Sequence, residues 1–122
     1  MYKVFTYGTL MKQRRNHFIL ENSKYLGDAI LDDYGLYELG TFPGAVKMLG
    51  YKVYGEVYEV DEKTKKLLDE LEDVGNLYDY IDVDVMMDDK LVSVGFYRFN
   101  PKQIEYPVRR LNDKWNQIED YR

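Results

Sequence analysis

Strand-favouring residues recur along much of the chain, and only one segment carries a clear helical stripe. Runs of tyrosine, valine and other β-favouring residues cover Tyr2 to Tyr7, Lys24 to Leu39, Val53 to Val60, Tyr78 to Met87 and Leu91 to Phe99. The thirteen tyrosines are many for 122 residues and push the same way. No regular strand–helix–strand alternation is present, so a parallel α/β sheet is not expected. The expectation is an α+β fold: a mixed, mainly antiparallel small β-barrel with short helices, in a single domain over 1–122.

The punctuation agrees. Gly8 stops the first strand, where the chain can take positive φ. Gln13 to Leu20 reads as a helix, with Phe18, Ile19 and Leu20 as its apolar side. The second β segment reads as broken at Asp32-Asp33 and at Gly35, and Thr41-Phe42-Pro43-Gly44 as a turn. In Val53 to Val60, Tyr54, Glu56, Tyr58 and Val60 share one face, and Val53, Gly55, Val57 and Glu59 the other. Asp61 to Glu72 is the clear helix: Asp61 is an N-cap residue, Leu67, Leu68 and Leu71 form the stripe, and Gly75 follows the end. Asp88-Asp89-Lys90 is expected to turn a hairpin. After Pro107, Leu111, Trp115 and Ile118 could pack as a short helix.

Composition removes whole classes of chemistry. The chain has no cysteine, so thiolate catalysis, disulfides and zinc–cysteine sites are out. It has one histidine, His17, beside Phe18, which suits a packed structural role better than a triad. A metal site of several histidines cannot be built, and Asp82, Asp84, Asp88 and Asp89 read as a solvated strand face and a turn. The glycines spell no dinucleotide or Walker-type loop. A net charge of −5 argues against a nucleic-acid partner, because the basic clusters Lys12 to Arg15, Lys63 to Lys66 and Arg109-Arg110 are short and read first as solvated surface. No apolar stretch is long enough to span a membrane or act as a signal peptide, so a cytoplasmic location is expected.

Two features can carry chemistry. In Phe5-Thr6-Tyr7-Gly8-Thr9-Leu10 a strand ends in glycine and leads toward a helix, a geometry that exposes consecutive backbone N–H groups able to grip a carboxylate or oxyanion. The same geometry also occurs at ordinary strand ends. At the end of the main helix, a buried direction centred on the leucine stripe sends Asp69 to solvent and leaves Glu70 and Glu72 on opposite borders. Either border glutamate could turn into a cleft, where desolvation would raise its pKa and make it a general base; periodicity does not choose between them. Glu56, on a strand face with Tyr54 and Tyr58, is a rival carboxylate expected to act as a structural hydrogen-bond partner.

In order along the chain, these segments resemble the γ-glutamylcyclotransferase-like family, which includes proteins described as AIG2-like. Val4-Phe5-Thr6-Tyr7-Gly8-Thr9-Leu10 is similar to the family's Tyr-Gly-(Ser/Thr)-Leu loop. Asn16-His17, Leu26-Gly27, Tyr34 to Leu39, Phe42-Pro43-Gly44-Ala45-Val46 and Gly55 to Asp61 follow in sequence, and Leu68-Asp69-Glu70-Leu71-Glu72 with Tyr78 resembles its helix and next tyrosine. The resemblance implies a compact mixed barrel and the cyclisation of γ-glutamyl-amines or γ-glutamyl-peptides to 5-oxoproline, with release of the amine. It implies that Tyr7, Gly8, Thr9 and Leu10 bind substrate through backbone N–H groups and that Glu72 is the catalytic acid/base. It implies a small γ-glutamyl molecule as partner, and no metal or cofactor. The family often carries Tyr-x-Arg after the helix; here Tyr78-Asp79-Tyr80 puts tyrosine at the arginine position. The alternative is a non-catalytic module of the same fold that binds a small carboxylate or amine metabolite and dispenses with Glu72.

Overall fold

The computed structural model describes residues 1–38 and 43–100. Strands β1 (Tyr2–Thr6), β2 (Lys24–Glu38), β3 (Pro43–Val60), β4 (Tyr78–Met87) and β5 (Lys90–Phe99) close into a small barrel in the order β1-β3-β2-β4-β5. The neighbouring pairs are antiparallel except β1 with β5, which run parallel through Val4↔Gly95 and Phe5↔Phe96. Closure is thin between β2 and β4, where the only register pair is Ile30↔Met86. Helix α1 (Glu62–Leu71) packs against the outside of the barrel beside a short 3-10 helix, His17–Leu20. No helix among the described residues is long and apolar enough to cross a membrane.

Burial on two sides explains the apolar richness of the strands. Inward residues such as Phe5, Val53, Val57 and Phe96 fill the barrel interior. Outward residues such as Val4, Tyr58 and Val60 form a second core with Leu20 and with Leu68 of α1. A strand covered on both faces cannot show a clean polar–apolar alternation. Gly55 is forced by close packing: a Cβ there would overlap the Thr6 carbonyl oxygen and lie 2.7–2.8 Å from the Phe5 ring.

The structure corrects several expectations. The helix expected over Gln13 to Leu20 is reduced to the 3-10 helix His17–Leu20, preceded by tight turns and a positive φ of 66° at Gln13. Phe18, read as part of its apolar side, is 64% exposed, and Leu20 alone is fully buried there. Strand β2 is not broken at Asp32-Asp33; it bulges, with Asp33 at φ 64° absorbing a register shift between Asp32 and Tyr34. Strand β3 begins ten residues before Val53, and Pro43-Gly44 opens it rather than turning the chain, with Pro43 opposite Glu38 and Gly44 opposite Tyr37. Proline is tolerated at a strand's first residue because no ladder donor is lost there. Thr41 and Phe42 lie outside the described residues, as do Arg109-Arg110, Leu111, Trp115 and Ile118. The β4–β5 hairpin has a two-residue loop, with Asp88 and Asp89 at φ 49° and 63° and Met87 paired with Lys90; both loop residues at positive φ is the twist-matched hairpin turn.

Candidate active site

Where β1 leaves the barrel, a cavity of about 210 Å³ opens beside the end of α1. Tyr7, Gly8, Thr9 and Leu10 form one wall, and Glu72 reaches in from the end of the helix. Tyr78 and Tyr97 from the β4–β5 hairpin, with Pro43, complete the apolar side.

The loop after β1 is shaped by where its carbonyls go. The Gly8 carbonyl accepts from Met11 N–H at 3.1 Å, and Thr9 from Asn16 N–H at 2.9 Å. The Leu10 carbonyl meets His17 Nδ1 at 2.8 Å, and the His17 ring rests against Tyr58 with centroids 5.7 Å apart. The Thr9 hydroxyl accepts from Asn16 Nδ2 at 2.9 Å. With the carbonyls spent on the following turn, the N–H groups of Gly8, Thr9 and Leu10 find no acceptor among the described residues. A side chain at Gly8 would crowd Pro43, whose Cγ lies 3.0 Å from the position a Cβ would take. Tyr7 contributes its ring and not its hydroxyl: the OH donates to the Tyr97 carbonyl at 2.7 Å and accepts from Ala45 N–H at 3.2 Å. Burial, and then the nearby Glu72 carboxyl, push the Tyr7 phenol well above its usual range.

Glu72 is the C-cap of α1, and its N–H donates to the Leu68 carbonyl at 3.0 Å. The buried residues of α1 are Lys65 and Leu68, while Leu67 and Leu71 are 46% and 41% exposed. At about 100° per residue, the face through positions 65, 68 and 72 is turned by about 90° from the centre of the leucine stripe. That rotation brings Glu72 toward the barrel and leaves Glu70 exposed. Desolvation raises the Glu72 carboxyl from 4.5 to about 7, and its place at the negative end of the helix acts in the same direction. Among the described residues the carboxylate has no hydrogen-bond or ion-pair partner.

The rotation also corrects Asp69, which the leucine stripe sends to solvent. Its Oδ1 accepts from Lys65 Nζ at 2.6 Å and from the Tyr97 hydroxyl at 2.8 Å. Glu56 acts as a structural partner, taking Lys12 N–H at 2.9 Å and the Tyr58 hydroxyl at 3.0 Å, and it lines a separate cavity of about 470 Å³. Tyr80 lies across Gly95 and under Lys65 Nζ, 3.8 Å from the ring centroid, so a cation from the helix occupies its neighbourhood. Among the described residues no group of three or more His, Asp or Glu is arranged to hold a metal ion. Sequence reasoning missed Tyr97, whose only advance signal was its strand, and Arg15, which was read first as solvated surface yet lines the cavity. The Tyr78 hydroxyl donates to the Pro43 carbonyl at 2.9 Å, leaving its ring as wall.

The family profile described as "Gamma-glutamyl cyclotransferase, AIG2-like" matches residues 4–117. The gamma-glutamylcyclotransferase family protein YtfP of Escherichia coli K12 is 42% identical over 76 residues, covering 62% of this chain and 66% of that protein. A gamma-glutamylaminecyclotransferase of Bos taurus is 34% identical over 89 residues, covering 62% of this chain and 51% of its own length. The chain thus aligns with just under two thirds of the E. coli relative and about half of the bovine one. Among solved structures, PH0828 from Pyrococcus horikoshii superposes with a TM-score of 0.67 at 29% identity, covering 99% of this chain and 90% of that one. An AIG2-like protein from Mus musculus superposes at 0.77 with 23% identity, over 95% and 88% of the two chains, a likeness of fold.

Proposed function

Since the chain belongs to the gamma-glutamyl cyclotransferase, AIG2-like family, we propose that it cyclises a small γ-glutamyl-amine or γ-glutamyl-peptide to 5-oxoproline and releases the amine. One observation carries the reading. A desolvated, unpartnered carboxyl at Glu72 shares a cavity with the unengaged N–H groups of Gly8, Thr9 and Leu10.

The substrate brings its own nucleophile. Its α-amino nitrogen bonds to the γ-carbonyl carbon, the carbon–nitrogen bond to the amine breaks, and a five-membered lactam results. In this reading the loop amides hold the α-carboxylate, and the tyrosine walls fold the γ-glutamyl chain so that the amine lies against the carbonyl. Such near-attack placement supplies much of the rate of an intramolecular reaction. Glu72 as carboxylate takes a proton from the α-ammonium and returns one to the departing nitrogen. A carboxyl with pKa near 7 suits both directions, since it neither holds nor sheds the proton too strongly.

The test is turnover of a panel of γ-glutamyl compounds, read as 5-oxoproline, for wild type and Glu72→Gln. We expect Glu72→Gln to lose about 10²-fold or more in kcat. The wild-type kcat/KM should rise with pH through about 7, as Glu72 ionises. No 5-oxoproline from wild type, or equal activity in Glu72→Gln, overturns the reading. Equal binding of a γ-glutamyl compound by both proteins without turnover would identify a binding module instead.

A further inference from the structure

We propose that Lys65 and Asp69 are a positioning pair: through the Tyr97 hydroxyl they hold the Tyr97 ring in the cavity wall and the Glu72 end of α1 against it. This rests on the cyclotransferase reading for its rate readout, and on geometry for everything else.

Helix α1 is short. It is ten residues long, and its buried residues are Lys65 and Leu68. A helix that short has little stability of its own and takes its position from tertiary contacts. Toward its C-terminal end, beside the buried Leu68, a 2.8 Å hydrogen bond from Tyr97 OH to Asp69 Oδ1 ties it to the barrel. Asp69 and Glu72 are three residues apart and therefore neighbours on the helix surface. A shift of Asp69 is thus passed to Glu72 by rigid helix geometry.

Tyr97 connects the other way as well. Its carbonyl accepts the Tyr7 hydroxyl at 2.7 Å, and Tyr7 leads into the Gly8–Leu10 loop. A continuous series therefore runs Lys65–Asp69–Tyr97–Tyr7, from the helix that bears the carboxyl to the loop that bears the amides. The two halves of the cavity are otherwise on different elements.

Lys65 gives the series its direction. It is 8% exposed, with its ammonium over Tyr80 at 3.8 Å and near the rings of Tyr2 and Tyr97 at 5.5 and 5.9 Å. The aromatic faces favour a cation there, and its 2.6 Å contact with Asp69 satisfies both charges. The Asp69 side chain is 36% exposed, so without the ammonium its carboxylate has solvent to turn to. Removing the ammonium therefore frees the Asp69 carboxylate to turn outward, and the Tyr97 hydroxyl loses its fixed acceptor. The pair differs from a fully exposed i,i+4 pair in that its ammonium is buried.

The experiment uses Tyr97→Phe, which keeps the ring and removes only the hydroxyl, together with Lys65→Met and Lys65→Arg. Steady-state kinetics and a ¹³C NMR titration of the Glu72 carboxyl are measured on each folded protein. We expect kcat to fall about tenfold or more in Tyr97→Phe and Lys65→Met, with KM within about twofold, because orientation and not binding is lost. Lys65→Arg should recover most of the loss, and the Glu72 midpoint should move down in both impaired variants as water enters. Wild-type kcat and an unmoved Glu72 midpoint in Tyr97→Phe would overturn the proposal, as would Lys65→Arg no better than Lys65→Met. If wild type makes no 5-oxoproline, the cyclotransferase reading falls alone; the titration still decides the positioning claim, supported by a moved Glu72 midpoint and refuted by an unmoved one.

Discussion

Glu72→Gln should change the stability of this protein in a pH-dependent way that does not depend on any substrate. The Glu72 carboxyl is raised by desolvation from 4.5 to about 7 in the folded protein. A carboxyl that binds its proton more tightly when folded contributes stability that is complete below the unfolded pKa. That contribution is lost as pH rises through the folded pKa, because the ionised group must then be kept in the cavity. Each pH unit of the gap is worth about 1.4 kcal/mol, so the loss between pH 4.5 and pH 8 is about 3 kcal/mol at most. The side chain keeps partial access to solvent, which lowers the figure to about 2–3 kcal/mol. Glutamine cannot ionise. At pH 4.5 the variant and the wild type should therefore unfold within about 1 kcal/mol of each other, since both side chains are neutral. At pH 8 the variant should be more stable by about 2–3 kcal/mol. Urea unfolding of both proteins at a series of pH values, followed by circular dichroism, gives the two curves. Parallel curves with no divergence between pH 5 and 8 would refute the desolvated carboxyl, and with it the chemical argument for Glu72. A carboxyl that titrates near the working pH is suited to acid/base work.

Gly55→Ala should lose about 3 kcal/mol or more, because its Cβ meets the Thr6 backbone carbonyl and the Phe5 ring, neither of which can give way; thermal unfolding measures this. Asp61→Ala should lower the thermal unfolding midpoint, since the Asp61 carboxylate caps α1 by accepting Thr64 N–H at 2.7 Å; the loss should shrink in acid, because that hydrogen bond lowers the Asp61 pKa and protonation removes the charge. Asp88→Asn combined with Asp89→Gly should stabilise the protein by about 0.5–1 kcal/mol, since both loop residues already hold positive φ and Asn-Gly meets that geometry with less strain. Leu68→Ala should lose about 2–5 kcal/mol in denaturant unfolding, because Leu68 is fully buried in the core that joins α1 to the barrel.

The elements that were legible in the sequence are those with local causes. Asp61 caps its helix and accepts from Thr64 N–H, and β4 and β5 alternate on either side of an Asp-Asp turn. The errors arise where distant contacts override local signals. Asp32-Asp33 reads as a break, but pairing along β3 absorbs the extra residue as a bulge. Pro43-Gly44 reads as a turn, but Glu38 and Tyr37 draw both residues into a strand. The apolar residues before Leu20 suggest a helix, yet the Gly8, Thr9 and Leu10 carbonyls draw Met11, Asn16 and His17 into turns.

The candidate site divides along the same line. By itself, the sequence determined a β-rich chain with one capped helix, the absence of any thiol, and a glycine-ended strand able to offer backbone N–H groups. Those follow from residue type and spacing, which act over a few positions. The family resemblance pointed to Glu72, but the physical reason that Glu72 and not Glu70 faces the cavity lies in three dimensions. The leucine stripe left Glu70 and Glu72 equivalent, because it marks where apolar side chains sit and not how the helix is docked. Docking turned the helix onto Lys65 and Leu68, since the Lys65 ammonium buried among tyrosine rings, its contact with Asp69 and the hydrogen bond from Tyr97 to Asp69 fix that rotation. These contacts come from strands up to 63 residues away, counting from Tyr2 to Lys65, and no helical period can encode them.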